Sequence, residues 1–150
     1  MSDLIIRPVT PADRDAWAST YRGYRDFYEK PHEPAVFDTV WGWLNDPSHE
    51  TRGLVAELDG EIVGLAHFRT FARPIAGSTG LYLDDLFTAP AARGKGAANA
   101  LIERLRAIAR DEGAGLVRWI TAESNTTARS VYDKLNAPTS WVTYDVTPLD

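Results

Sequence analysis

Leu83-Asp84-Asp85-Leu86-Phe87-Thr88-Ala89-Pro90-Ala91-Ala92-Arg93-Gly94-Lys95-Gly96-Ala97-Ala98 is the stretch whose reading decides the fold. It passes from strand-forming residues through a turn broken by Pro90 into a glycine-containing loop, and it opens directly onto a helix. The helix is legible in Ala97, Ala98, Leu101, Ile102, Leu105, Ile108 and Ala109, which recur at three- and four-residue spacings and form one apolar stripe. Gly113 is its expected stop. At the start of that helix the unpaired first-turn N–H groups and the positive end of the dipole invite an anion. Gly94 and Gly96 let the backbone approach it closely, and Arg93 and Lys95 add positive charge. A phosphate or pyrophosphate is the expected guest. The loop is not a P-loop, which needs Gly-Lys-Ser/Thr, and Asn99 stands where a dinucleotide fingerprint needs its last glycine.

Upstream, Leu4 to Val9 reads as a first strand ending near Arg7, and Thr10-Pro11-Ala12-Asp13 reads as a helix start. Along that helix Trp17, Tyr21, Tyr24 and Tyr28 share one side as a core stripe, with Tyr24 and Tyr28 the candidates to face an acceptor. Pro31 and Pro34 interrupt it, and Val36, Phe37, Val40, Trp41 and Leu44 mark a second helix. Leu54–Leu58 and Glu61–Phe68 flank Asp59-Gly60, the pair favoured by a type I′ hairpin turn. Arg73 to Gly80 is expected to be a loop. Downstream, Gly115 to Ala122 reads as the next strand. Ser124-Asn125 caps a helix carrying Ala128, Val131, Tyr132 and Leu135, and Trp141 to Val146 alternates as a final strand.

The chain has 150 residues, 44% hydrophobic and 25% charged, which suits one soluble domain over residues 1–150 with a substantial core. No apolar run is long enough to span a membrane. Met1-Ser2-Asp3 leads into a strand rather than a signal peptide, so a cytoplasmic protein is expected. The net charge of −5 argues against nucleic-acid binding, which neutralises phosphates with Lys and Arg. Cysteine is absent, excluding disulfides and a catalytic thiol, and His32, His49 and His67 have no metal-ligand spacing. No metal is expected.

The central stretch resembles the acyl-CoA-binding signature of the GNAT-fold N-acetyltransferases, Arg/Gln-x-x-Gly-x-Gly/Ala, matched by Arg93, Gly96 and Ala98. Asn125-Thr126-Thr127-Ala128-Arg129-Ser130-Val131-Tyr132-Asp133-Lys134-Leu135 resembles a second block of that family, departing from it at Asn136 and Ala137. Tyr82 to Phe87 is similar to the polyamine and thialysine branch. Trp119 to Asn125 with Val142-Thr143-Tyr144 is similar to the histone and D-amino-acid branch. The resemblance implies an α/β fold, with a mixed, mostly antiparallel central sheet flanked by about four helices. It implies acetyl-CoA as cosubstrate, held by Leu86, Phe87 and Thr88 of the strand, by Arg93, Gly94, Lys95, Gly96, Ala97 and Ala98 of the loop and helix start, and by Asn125. It also implies a homodimer, with Trp141 and Tyr144 as candidate interface aromatics.

The chemistry can be argued without the family. A lysine-like amine is free base in about one molecule in two to three thousand at pH 7, a deficit of about 4–5 kcal/mol, so attack on a thioester benefits from a proton acceptor. Asp84, which the resemblance sets at the position of the usual Glu of the polyamine branch, is the first candidate for positioning the amine and relaying its proton. Asp85 is second, because adjacent strand residues face opposite sides unless a bulge intervenes. Glu123 adds negative charge on the acceptor side, and His67 is a further base candidate. Tyr132 carries over as the hydroxyl near the sulfur. Full proton transfer from a phenol to a thiolate is uphill by about 2 kcal/mol, which favours hydrogen bonding to the leaving group. Transfer to a primary amine of a small molecule by direct attack is the expected reaction. The alternatives are a CoA-binding sensor of the same fold without turnover, and a protein or peptide N-acetyltransferase.

Overall fold

In the computed structural model, which describes residues 3–150, Leu4–Pro8 forms β1 and pairs antiparallel with β2 (Arg52–Leu58). Met1 and Ser2, part of the stretch read as leading into a strand rather than as a signal peptide, lie outside the described residues. The chain divides into two units, one ending at Ile120 and one spanning Thr121–Asp150.

In the first unit, Asp59 and Gly60 take φ values of 53° and 86°, as the primed turn requires, and join β2 to β3 (Glu61–Arg73). β3 pairs antiparallel with β4 (Ser78–Thr88), and β4 pairs parallel with the two-residue β5 (Val117–Arg118). The result is a five-stranded mixed sheet in the order β1-β2-β3-β4-β5. Between β1 and β2 the chain makes a 3-10 turn at Pro11–Asp13 and two helices, α1 (Arg14–Phe27) and α2 (Pro34–Leu44). α3 (Ala97–Glu112) follows the glycine loop and ends at Gly113, whose φ of 75° is the left-handed stop expected there.

The alternation along β3 sends the helices to opposite faces. Leu65 packs with Trp17, Tyr21, Phe37, Val40 and Phe87 in one cluster under α1 and α2. At the neighbouring Gly64, a Cβ would lie 3.6 Å from Leu101 of α3. Leu101, Ile102 and Leu105 bury the apolar stripe of α3 against the sheet. Trp17, only 1% exposed, is the largest fully buried side chain. It fixes α1 over the strand pair that carries the site.

Four expectations are corrected. The interval from Arg73 to Gly80 is not a long loop, because β3 continues to Arg73 and β4 resumes at Ser78, with only Pro74–Ala76 and a left-handed Gly77 turning the chain. Phe71 there pairs with Gly80 across the ladder, so the strand persists beyond its apolar run. The strand read over Gly115 to Ala122 shrinks to Val117–Arg118. In the second unit, α4 (Thr126–Tyr132) forms behind its Asn125 cap but stops before Leu135, and Trp141 to Val146 forms no strand. Alternation specifies which face a strand would bury. It does not supply the neighbouring backbone that a ladder needs, and Trp141, Val142, Tyr144 and Val146 are all exposed.

Candidate active site

His67 on β3 lies opposite Asp85 on β4, and the next residue, Phe68, lies opposite Leu83. Asp84 is therefore an extra residue in β4, a β-bulge. In a regular strand two adjacent carboxylates would point to opposite faces. Here Asp84 and Asp85 both line one cleft of about 300 Å³, together with Tyr21 of α1, Trp43 of α2, His49, Glu50, His67 and Arg69.

The two carboxylates have different surroundings. Asp85 Oδ2 lies 2.8 Å from His67 Nδ1 and accepts from the Tyr21 hydroxyl at 3.1 Å. Burial opposes its charge, but hydrogen bonding from His67, with further help from the Tyr24 and Tyr21 hydroxyls, holds its pKa below the ordinary carboxylate value. Burial and then the Asp85 charge push both phenols above their ordinary range, so they remain donors. Asp84 has a half-exposed carboxylate 3.1 Å from Arg69 Nε. Desolvation raises its pKa against the opposing pull of Arg69. One carboxylate is a fixed anion. The other is the readier proton acceptor.

β4 then runs into the glycine loop. β5 pairs with it only at Leu81 and Tyr82, so from Leu83 onward the edge of β4 facing away from β3 has no ladder partner among the described residues. Leu86, Phe87 and Thr88 lie on this stretch, and Thr88 Oγ1 is buried without a hydrogen bond within the protein. After a 3-10 turn at Pro90–Ala92, Gly94 and Gly96 take φ values of 80° and 84°, a conformation that L side chains rarely adopt. Gly96 caps α3, and its carbonyl accepts the first helical bond, from Ala100 at 3.0 Å. The amides of Ala97, Ala98 and Asn99 precede that bond and remain for another acceptor. Arg93 and Lys95 are exposed beside them. An unladdered strand edge, an orphaned hydroxyl and a basic amide cradle fit the amide arm and pyrophosphate of a CoA thioester. When bound, that group supplies the activated acetyl.

The second unit holds the remaining candidates. Asn125 Oδ1 caps α4 by accepting from Ala128 N at 3.2 Å, which leaves its amide NH₂ as the donor for a ligand. Tyr132 is the last residue of α4 and is half-buried, and Glu123 is exposed, its backbone carbonyl accepting from Arg129 at 2.9 Å.

Of the α1 aromatics, Tyr21 lines the cleft. Tyr24 stacks on Tyr21 at 5.6 Å between centroids and meets Phe87 edge-on, and Tyr28, just past the helix, packs on Tyr24 at 4.9 Å. Sequence reasoning missed Arg69, the Trp43–His49 stack (4.9 Å, interplanar angle 4°) and the pairing of His67 with Asp85. An alternation-based register would have set His67 and Arg69 on one face of β3, the only available signal.

Residues 17–137 match the Acetyltransferase (GNAT) family. The chain is 27% identical over 143 residues to the D-amino-acid N-acetyltransferase HPA3 of Saccharomyces cerevisiae, covering 94% of this chain and 89% of that one. It is 29% identical over 129 residues to the uncharacterized N-acetyltransferase YhfO of Bacillus subtilis, covering 86% of each. Among solved structures it resembles AAC(6')-Iy in complex with the bisubstrate analog CoA-S-monomethyl-acetylneamine, with a TM-score of 0.81 at 18% identity over 98% of this chain and 99% of that one. The family match covers the strand edge, the glycine loop and the paired carboxylates alike, and the chain belongs to the acetyltransferase (GNAT) family, whose members are acetyl-CoA-dependent acyltransferases.

Proposed function

We propose that the chain transfers the acetyl group of acetyl-CoA to a primary amine of a small molecule, by direct attack with both substrates bound. The observation that carries this reading is the β4 bulge, which turns Asp84 and Asp85 into one cleft on the strand that continues into the glycine loop. Asp85 attracts the ammonium form of the acceptor. Asp84 takes the proton that must leave before nitrogen can attack. Amides at Leu86 to Thr88 orient the thioester and polarise its carbonyl, and Arg93 to Ala98 hold the pyrophosphate. The motif correspondence supports Asn125 at the CoA arm and the Tyr132 hydroxyl at the leaving thiolate, while the place of Tyr24 and Tyr28 at the end of α1 and the negative charge of Glu123 support acceptor binding. With no cysteine in the sequence, nothing favours an acyl-enzyme.

The small-molecule reading draws support from the names of HPA3, a D-amino-acid N-acetyltransferase, and of the aminoglycoside-type neighbour. The whole of residues 1–150 is read as one N-acetyltransferase domain, since the family match runs across the division at Ile120. Calorimetric titration with acetyl-CoA followed by a panel of diamines, amino acids, aminoglycosides and basic peptides tests the function. Binding with amine-dependent release of free thiol supports it. Binding without turnover on any amine identifies a sensor instead.

A further inference from the structure

Beneath the cleft, α1 and β3 contribute a buried hydrogen-bond chain that the reaction as described does not use. The Trp17 indole Nε1–H donates to His67 Nε2 at 2.9 Å, and His67 Nδ1 faces Asp85 Oδ2 at 2.8 Å. The histidine side chain is 2% exposed. An indole N–H can only donate, so Nε2 must accept. The ring proton therefore sits on Nδ1 and is given to Asp85. A ring protonated on both nitrogens would direct Nε2–H against the indole N–H and lose that bond. Among the described residues, the polar and charged groups around this chain include the Tyr21 and Tyr24 hydroxyls and Arg25 from α1, Arg69 from β3, Asp84 from β4, and His49 and Glu50 across the cleft.

We propose that Trp17 and His67 form a positioning relay for the acceptor site, in which the indole fixes the imidazole as an Nδ1–H donor and the imidazole fixes Asp85 as an oriented, uncancelled anion. The proposal rests on the reading that this cleft takes the amine. A histidine free to bind a second proton beside Asp85 would cancel the charge that attracts the ammonium group. The indole opposes this by occupying the second nitrogen, so the imidazole sets no positive charge against Asp85. Trp17 thus does more than fill the core. Its one polar atom sets the charge state of a carboxylate it does not touch.

Three variants and one spectrum test the relay. Trp17→Phe keeps an aromatic in the core but removes the indole N–H, freeing Nε2 to take a proton. Its KM for the amine should match the parent's above pH 8 and rise about tenfold toward pH 6, a new acid limb, with little change in kcat or acetyl-CoA affinity. His67→Leu removes the donor to Asp85 and should raise the amine KM about tenfold at all pH values. His67→Asn, whose amide nitrogen can replace Nδ1, should recover much of that loss. In the parent protein, ¹⁵N-labelled imidazole spectra should show an Nδ1–H ring with Nε2 unprotonated, a readout that needs neither turnover nor a variant that folds. A doubly protonated or Nε2–H ring overturns the relay. So does parental pH dependence of the amine KM in folded Trp17→Phe. Failure of the proposed function is seen separately, as absence of amine turnover in the parent with the Nδ1–H ring intact.

Discussion

A carboxylate that attracts a cation and a carboxylate that removes its proton need different surroundings, and Asp84 and Asp85 have them one residue apart. Asp84→Asn keeps the shape and removes the acceptor. Amine-dependent turnover should fall about 10²-fold near neutral pH while acetyl-CoA binding is unchanged. Raising pH supplies free amine from solution, by about tenfold per unit below the amine pKa, so the defect should shrink in alkaline assays. In the parent, the working form of Asp84 is the anion, and because its pKa is raised, activity should decline with falling pH earlier than for an ordinary aspartate. Tyr132→Phe should respond differently. Its loss should persist at high pH and diminish with a thioester whose thiol is more acidic. Identical responses of the two variants would contradict separate roles. The acidic pair itself is legible in the sequence. The bulge is not, because it is a property of register against β3, and His67 is 18 residues away from the Asp85 it holds.

The elements around this pair place two further predictions. Ala98 lies in the first turn of α3 in regular helical backbone, so Ala98→Trp adds bulk at the amide cradle without the strain that a side chain at Gly96 would meet. It should weaken acetyl-CoA at least tenfold by calorimetry and leave the circular dichroism spectrum unchanged. Unchanged affinity in the folded variant would remove this loop from the cofactor site. At the other end of the unit, Asp13 joins the turn before α1 to β1 through Arg7, at 2.7 Å, and to the Thr10 backbone N–H, at 2.7 Å. The Arg7 hydrogen bond, opposed by burial, lowers the Asp13 pKa from 3.8 to about 2. A depressed carboxylate stabilises the fold fully above its unfolded value and loses that contribution as pH falls through the folded value. The contribution is about 2 kcal/mol. Between about pH 4 and pH 2 the parent should therefore lose about 2 kcal/mol more than Asp13→Asn in denaturant titrations, and equal slopes would contradict it. Helix α3 was fully legible because its stripe, glycine entry and glycine stop are all local. The absent strand over Trp141 to Val146 was not, since whether a segment joins a ladder depends on a neighbour and not on its own alternation.

At the scale of the molecule, the order of strands and helices to α4 was legible in the sequence, because most boundaries carry a proline, glycine or capping residue, whereas the bounds of β5 and its pairing with β4 over only two residues were set by tertiary geometry. That short pairing gives β4 both a sheet partner and an open edge. Assembly is a separate prediction. We expect a homodimer of this 16.6 kDa chain, and Trp141 and Tyr144, 84% and 90% exposed, are the aromatics whose substitution should weaken it. Equilibrium sedimentation at micromolar concentration should give twice the chain mass, and a monomer would remove the prediction. Among the described residues no helix is long and apolar enough to cross a membrane. Whether one cleft joins a CoA thioester to an amine is measured by mass spectrometry of the acceptor alongside titration of released thiol. One N-acetylated amine is expected for each thiol released, with both falling together in Asp84→Asn. Thiol release without acetylated amine, or parental product yield and rate in Asp84→Asn, would contradict it.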